Sequence, residues 1–369
     1  MVTPSYYPIR GGAETVIRNL SKRLNETGVQ TDIMTFNMNR KWNPFWQANT
    51  EKTDGINIFK IPALNWFPLE HSDRITMGIN LIPGRFRNQL KKYNIIHYHG
   101  GDLSFPFFSH TVKKPKIFHS HGISFDFYKR YFLSRLILNH IANRYICLTK
   151  LMKREMIELG LTKDKITVLP NGVDMKLFRP AEEKKDDLVL FVGRICPEKG
   201  LHVLLKSLAY LRESIHLVII GPPSWDIKYF ENTIRLIKEE NKRGKHKVAY
   251  LGEQDQKNII NWYRKASILV LPSFREALPV VILEALACET PVVATNVGGI
   301  PEVLCNSEGG ILIPPNESIR LAEAIQFLLD DENVRAKFGR QGRELVAKNF
   351  SLESVVEKLH RIYKQMIVD

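Results

Sequence analysis

The residues best suited to chemistry gather on one stretch, Leu271 to Gly299, which carries two glutamates, Glu276 and Glu284. Glu284 stands almost alone among apolar neighbours between Val280 and Ala287, where an unpaired charge would be costly. A carboxylate in that setting needs hydrogen-bond donors, and the hydroxyls of a sugar or a ribose would supply them. Pro279 suits the first turn of a helix, and the N–H groups of Leu278, Val280 and Val281 at that helix start would favour a nearby phosphate. The structural alternative is that Glu276 caps its loop and Glu284 pairs with a core arginine. A second concentration is the loop Gly193 to Gly200, with Arg194 and Lys199. A guanidinium fork and an ammonium point charge suit a diphosphate; the alternative is that both are surface charges. Gly11 and Gly12 separate a short strand from a helix, a place where backbone N–H groups can approach a phosphate, although a plain turn fits them as well. His97, His99, His119 and His121 alternate along two strands, each pair facing one side. A metal site could be built that way, but no Cys or carboxylate stands beside them, so no metal is assigned. A histidine at the carboxyl end of a parallel strand is placed for substrate contact.

The elements that hold these residues follow from apolar periodicity. Ile268 to Leu271 is short and apolar enough for a buried parallel strand; Val280 to Ala287 reads as a helix, Pro291 to Ala294 as the next strand and Gly298-Gly299 as a turn. Upstream, strands at Leu188 to Val192, His216 to Ile220 and Val248 to Leu251 alternate with helices at Leu201 to Leu211, Phe230 to Lys242 and Lys257 to Ala266. Downstream, a strand at Gly310 to Ile313 precedes helices at Ser318 to Leu329, Glu332 to Asn349 and Ser351 to Ile367. In the first half, strands are read at Gln30 to Phe36, Ile56 to Ile61, Ile95 to His99, from Lys116 and at Ile166 to Leu169, with a helix at Thr15 to Gly28. Only Met1 to Thr3 are available for a first strand that normally needs about five residues. Phe125 to Gly160 reads as basic and helical, most apolar from Phe132 to Leu148. Trp42, Phe45 and Trp46 share a basic loop, either an interaction surface or a loop folded back on the core. Ala181 to Asp187 is polar without apolar period and reads as the linker. Alternating strands and helices in both halves imply α/β architecture, parallel sheets covered on both faces. Two such domains in tandem make a cleft at the carboxyl ends of their strands.

The chain has 369 residues, enough for two domains, and an ordinary apolar content of 44%. Its net charge of +14 is unevenly placed: residues 1–180 hold 27 Lys and Arg against 13 Asp and Glu, residues 181–369 hold 26 of each. A positive first half implies a negatively charged partner, whether nucleic acid, anionic membrane or phosphorylated substrate, or serves solubility alone. The nucleic-acid reading is weakened by the lack of a recognised motif. Cys147, Cys196, Cys288 and Cys305 form no paired motif and read as reduced thiols of a cytosolic protein. The first residues lack the pattern of a signal peptide, and no apolar run approaches the ~18 residues of a membrane span.

In order and spacing, Gly11-Gly12-Ala-Glu14, His121-Gly122, Pro170-Asn-Gly-Val-Asp174 with Phe178 and Pro180, and Gly193-Arg194…Pro197-Glu-Lys199-Gly200 form one pattern. It continues with Pro272-Ser273…Glu276 to Glu284-Ala-Leu-Ala, Pro291-Val-Val-Ala-Thr295 and Gly298-Gly299-Ile-Pro-Glu302. Over nearly its full length the chain resembles the family-4 glycosyltransferases of the GT-B fold. The resemblance implies two Rossmann-like parallel-sheet domains facing across a cleft: an acceptor-side domain over 1–180, with a last helix at about 351–369 packing back on it, and a nucleotide-sugar-binding domain over 181–350. It implies transfer of a sugar from a nucleotide-diphosphate sugar, as co-substrate, with retention and with no cofactor or required metal. Arg194 and Lys199 would hold the donor diphosphate, with Gly11, Gly12 and Gly193 beside it and Leu278 to Val281 at the helix start. Glu276 would contact the donor sugar hydroxyls and Glu284 the ribose; Gly252, Glu253 and Gln254 would lie near the base, and His121 by the sugar near the acceptor. Ala277 and Glu289 stand where glycine is common in the family, and Ala277 touches the shape of the sugar pocket.

Read together, these features describe a retaining hexosyltransferase acting on a glycan, lipid-linked or other anionic acceptor in polysaccharide biosynthesis. It would work in the cytoplasm, with peripheral attachment to an anionic membrane surface and no nucleic-acid partner. A sugar-nucleotide epimerase of the same fold and a non-catalytic anion-binding protein are the alternatives. A glycosidase would also use two carboxylates, but has no need of Arg194 and Lys199.

Overall fold

The computed structural model describes residues 1–6, 11–37, 49–62, 88–100, 112–122, 139–181, 184–224, 226–304 and 309–368. The loop from Trp42 to Trp46, Cys305, and residues 125–138 of the basic segment lie outside them. The chain divides into two compact units, Met1–Asn171 with Leu352–Asp369, and Gly172–Ser351.

In the first unit, β1 (Ile33–Asn37), β2 (Asn49–Thr53) and β3 (Ile56–Pro62) lie in the order β1-β3-β2. The strands β4 (Ile96–Gly100), β5 (Lys116–Ser120), β6 (Arg144–Cys147) and β7 (Ile166–Val168) form a parallel set in chain order. Met1 to Thr3 joins the two sets. Val2 bridges Met34 and Tyr98 in parallel, donating its N–H to the His97 carbonyl and accepting from the His99 N–H, both at 2.8 Å. The short strand at the amino end is therefore a single bridge residue seated between two longer neighbours. Helix α1 (Gly12–Glu26) follows and buries Val16, Ile17, Leu20 and Leu24 along one stripe. Helix α2 (Lys150–Glu158) is capped by the Thr149 hydroxyl, which accepts from the Met152 N–H at 3.0 Å.

Two elements of this unit differ from the sequence reading. The helix expected through Leu148 gives way at Arg144 to strand β6, whose Tyr145, Ile146 and Cys147 are buried. A strand lying between β5 and β7 is covered on both faces, and an aromatic and β-branched run suits that position; four residues are too few for periodicity to reveal. Strand β2 was also missed, because it is polar. Its signal is the pair Asp54-Gly55, at φ 53° and 79°, the positive-φ combination of a two-residue hairpin turn.

The second unit is one parallel sheet of β8 (Lys185–Val192), β9 (His216–Ile220), β10 (Lys247–Tyr250), β11 (Ala266–Leu271), β12 (Val292–Thr295) and β13 (Gly310–Ile313). Its order is β10-β9-β8-β11-β12-β13, the 3-2-1-4-5-6 arrangement of dinucleotide-binding sheets. Helices α3 (Leu201–Ser207), α4 (Ile227–Arg243), α5 (Gln256–Lys265), α6 (Val280–Ala287), α7 (Ile300–Leu304), α8 (Ser318–Asp330) and α9 (Glu332–Asn349) accompany it. Val189, Phe191, Leu217, Ile219, Ile268 and Val270 share one core with Leu201 and Leu204 of α3 and Leu321, Ile325 and Leu328 of α8. This is why the strands read as unbroken apolar runs rather than alternating ones.

Gly172 to Pro180 belongs to this unit because its anchors do. Phe178 is buried against Tyr263, with ring centroids 6.1 Å apart, and its carbonyl accepts from Arg343 at 3.2 Å. The expected linker is in large part structured: β8 begins at Lys185. Beside it, the Lys184 ammonium donates to the carbonyls of Arg264, Ala266 and Cys288 and to the Thr290 hydroxyl, at 2.7–3.3 Å. A polar, aperiodic stretch hides this role, because a lysine tying loop carbonyls together leaves no apolar pattern. Helix α10 (Leu352–Val368) returns to the first unit, burying Val355, Val356, Leu359, Tyr363 and Met366. Arg23 of α1 pairs with its Glu353 at 3.2 Å.

Removing the Lys184 ammonium leaves several carbonyls without their donor. Lys184→Met is expected to lower stability by about 2–3 kcal/mol, measured by urea denaturation. A midpoint equal to wild type would show that the network contributes nothing.

Candidate active site

In the second unit, β8 and β11 are neighbours at the centre of the sheet, where the strand order reverses. Ligands of open α/β sheets bind outside the carboxyl ends of the strands at such a point. The loop after β8 starts at Gly193 and ends in a single 3-10 turn, Pro197–Lys199, closed by Gly200 at φ 66°. The loop after β11 runs from Pro272 to Pro279, where α6 begins.

The two loops meet through their backbones. The Phe274 N–H donates to the Glu198 carbonyl at 2.7 Å. A Cβ on Gly200 would sit 2.0 Å from the Pro272 carbonyl oxygen; in the turn after β12, a Cβ on Gly298, at φ 55°, would sit 1.7 Å from the Glu276 carbonyl oxygen. No side chain fits either approach, so both glycines are required by contact as well as by conformation.

That contact brings Lys199 to Glu276. The ammonium and carboxylate are 2.6 Å apart, with Glu276 8% exposed and Lys199 26%. The same carboxylate oxygen accepts from the Ser273 hydroxyl at 2.8 Å, and the Ser273 carbonyl accepts from the Thr295 hydroxyl at the end of β12. Glu276 is therefore both a loop-holding residue and a carboxylate held for contact. Ser273 and Thr295 were not assigned roles from the sequence; a serine three residues before a glutamate was the available signal.

Arg194 lies half-buried on the β8 loop. Gly193 donates to the Ile220 carbonyl at 2.9 Å, and Gly221 beyond β9 in turn donates to the Gly252 carbonyl at 2.9 Å. Gly252, Glu253 and Gln254 are thus joined through Gly221 to the loop that carries Arg194; the Gln254 amide donates to the Leu251 carbonyl at 2.6 Å. Leu278 and Val280 are buried and Val281 is partly so, and α6 starts behind Pro279. The first N–H groups of a helix have no intrahelical acceptor, and the helix dipole adds to them an attraction for anions.

Glu284, inside α6, accepts from the Tyr263 hydroxyl at 2.9 Å. Its partner is thus a tyrosine of α5, where the structural alternative expected a core arginine. Burial pushes the Glu284 carboxyl up to about 7, opposed by that hydrogen bond. Glu289, after α6, takes φ 57°, a conformation that glycine adopts without strain.

Gly11, Gly12 and His121 lie in the first unit. Gly11 is the N-cap of α1 and Gly12 its first residue; among the described residues, a Cβ on Gly12 would meet nothing within 4 Å. The Glu14 carboxylate of the same turn accepts from the Ser5 hydroxyl at 2.5 Å. His121 follows β5, and its Nε2 is 2.9 Å from His99 Nδ1. Burial lowers His121 to about 4 and holds His97, His99 and His119 well below the ordinary imidazole range, so all four rings are neutral near pH 7.

Known proteins define the class. The profile described as Glycosyltransferase Family 4 matches residues 10–177, and that described as Glycosyl transferases group 1 matches residues 174–345. Sucrose-phosphate synthase from Thermosynechococcus elongatus superposes with a TM-score of 0.83 at 21% identity, over 100% of this chain and 98% of its own. Anabaena HepE, solved in complex with UDP-glucose, superposes with a TM-score of 0.78 at 16% identity over 99% of each chain. The chain belongs to the family-4 glycosyltransferases and has the GT-B fold, with two Rossmann-like domains. Among relatives in sequence, a glycosyltransferase of Methanocaldococcus jannaschii is 27% identical over 98% of this chain and 96% of its own. A D-inositol 3-phosphate glycosyltransferase of Pseudarthrobacter chlorophenolicus is 29% identical over 89% of this chain and 84% of its own.

Glu284 makes stability depend on pH in a defined direction. Its folded value of about 7 lies above the ordinary 4.5, so the folded chain binds the proton more tightly than the unfolded one. Stability is lost as pH rises from 4.5 towards 7. Glu284→Gln stays neutral throughout. Its Tm should exceed wild type by roughly 2–6 °C above pH 7, with the gap closing towards pH 4.5. Calorimetry across this range checks it; a gap independent of pH would refute the raised Glu284 carboxyl.

Proposed function

We propose that this glycosyltransferase moves a sugar from a nucleotide-diphosphate sugar to an anionic, glycan or lipid-linked acceptor, with retention at the anomeric carbon. The observation that carries the reading is the Lys199–Glu276 pair at 2.6 Å at the carboxyl ends of β8 and β11, with Arg194 on the same loop as Lys199. Breaking a glycosyl–phosphate bond builds positive charge on the sugar and negative charge on the departing diphosphate. An ammonium has three protons; with one on Glu276, two remain for phosphate oxygens. The Arg194 fork and the N–H groups at the start of α6 add fixed positive charge without reorganisation, the form of stabilisation worth most in a desolvated site. Glu276 then accepts from hydroxyls of the donor sugar and Glu284 from those of the ribose, while Gly252 to Gln254 flank the base. Gly11, Gly12 and His121 take the diphosphate and sugar contacts that the family resemblance implies. A neutral imidazole at His121 accepts a hydroxyl hydrogen bond without adding charge. The acceptor oxygen bonds to the anomeric carbon on the face that the diphosphate leaves, and the acceptor's proton goes to the diphosphate. Neutralisation of the diphosphate is assigned to Arg194, Lys199 and backbone N–H groups, with no metal in that role.

The nucleotide-sugar donor is supported by the UDP-glucose bound to Anabaena HepE. A phosphorylated or otherwise anionic acceptor is supported by the charge, all of whose +14 excess falls within residues 1–180, and by the relative named for D-inositol 3-phosphate. Among the described residues no helix is long and apolar enough to cross a membrane; attachment to an anionic membrane surface would be electrostatic and lost at high salt.

Lys199→Ala is expected to lower kcat/KM by a factor on the order of 100 or more. The measurement is acceptor-dependent release of nucleoside diphosphate, after a thermal-shift screen of nucleotide sugars has identified the donor. Near-normal turnover would remove Lys199 from the diphosphate. Isomerised donor without acceptor would point to the epimerase instead.

A further inference from the structure

The first unit contains a histidine cluster that the proposed transfer does not use. His97 and His99 alternate on β4, and His119 lies on β5 directly opposite His99 in the parallel register. All three are at most 2% exposed. The His97 ring stacks on those of His99 and His119, with centroids 4.1 Å and 5.3 Å apart, and the His99 and His119 rings are tilted against each other at 5.0 Å. Among the described residues, four nitrogens on these rings have no hydrogen-bond partner: Nε2 of His97, Nε2 of His99 and both nitrogens of His119. Leaving buried polar atoms unpaired costs free energy at each one, and here each of three neighbouring rings carries at least one.

We propose that His97, His99 and His119 bind one first-row divalent transition ion, with zinc the best match. Three neutral imidazoles are a sufficient zinc donor set, and imidazole suits this part of the series. The ring nitrogens already lie within 4.8 Å of one another. Zinc–nitrogen bonds of about 2.0–2.1 Å allow at most about 4.2 Å between two ligand atoms, so the rings must turn from their stacked positions to aim their in-plane lone pairs at one ion.

The hydrogen bonds fit the same arrangement. A metal-bound histidine usually engages its other nitrogen with a neighbour that fixes tautomer and ring orientation. His97 Nδ1 lies 2.6 Å from the Tyr363 hydroxyl, and His99 Nδ1 lies 2.9 Å from His121 Nε2. Each leaves its Nε2, the unpartnered atom, for the ion. Tyr363 stands on α10, so an ion here would tie β4 and β5 to the helix that returns from the far end of the chain. The sequence reading assigned no metal for want of a cysteine or carboxylate; a set of imidazoles closed by tertiary contact needs neither.

The test uses the full chain, stripped with a chelator and titrated with Zn²⁺ and, separately, Co²⁺. The expected result is one tightly held ion per chain that survives desalting, a visible d–d spectrum with Co²⁺, and a rise in Tm with Zn²⁺. His97→Ala and His119→Ala should lose the ion while keeping wild-type far-ultraviolet circular dichroism, and Tyr363→Phe should bind it about 10–100-fold more weakly. Should the histidine variants fail to fold, the ring ¹⁵N shifts of histidine-labelled wild type decide, since three rings must move on adding Zn²⁺. A folded wild type that takes up no ion, or an ion retained by the folded His97 and His119 variants, overturns the proposal.

Discussion

The charged site of the second unit depends on a steric condition: the loops beyond β8 and β11 must touch through bare backbone. Gly200 of the β8 loop lies against the Pro272 carbonyl, and Gly298 of the turn beyond β12 lies against the Glu276 carbonyl, each closer than any Cβ could approach. Because the loops touch, Lys199 and Glu276 form a 2.6 Å pair although 76 residues separate them along the chain. Loops held this closely keep the pair in place before any ligand arrives, a preorganised site rather than two mobile charges.

The sheet beneath sets where that contact falls. Strands buried on both faces are placed by packing, and the reversal of strand order puts the ends of β8 and β11 side by side. Glu284 shows the same dependence from inside a helix. Its carboxyl is raised to about 7 because α6 is packed into the core, with Tyr263 as its hydrogen-bond donor. In the first unit, parallel register does comparable work by setting His99 opposite His119.

Much of this was legible in advance. Helix α6 over Val280 to Ala287, strand β9 over His216 to Ile220 and helix α9 over Glu332 to Asn349 follow directly from apolar runs and their period. Glycines at 200 and 298 stood out within the family pattern. The misses share a physical cause, in that their stabilising partners are remote in sequence. Strand β6 exists because β5 and β7 flank it, Lys184 is held by carbonyls from 80 to 104 residues away, and the Tyr363 hydroxyl meets His97 across 266 residues. Glu289 stands where the family resemblance leads one to expect glycine, and it takes a φ of 57°, a conformation that glycine adopts without strain.

By itself the sequence determined the α/β class, most strand and helix positions, and the identity of the residues available for chemistry, because these depend on local period, turn residues and side-chain type. Only the tertiary structure decided which of them meet: Lys199 with Glu276, Tyr263 with Glu284, and three histidines of two strands with a tyrosine of the last helix. Such meetings depend on strand order and register, which are set by the burial of whole faces, and no short window of sequence contains that information.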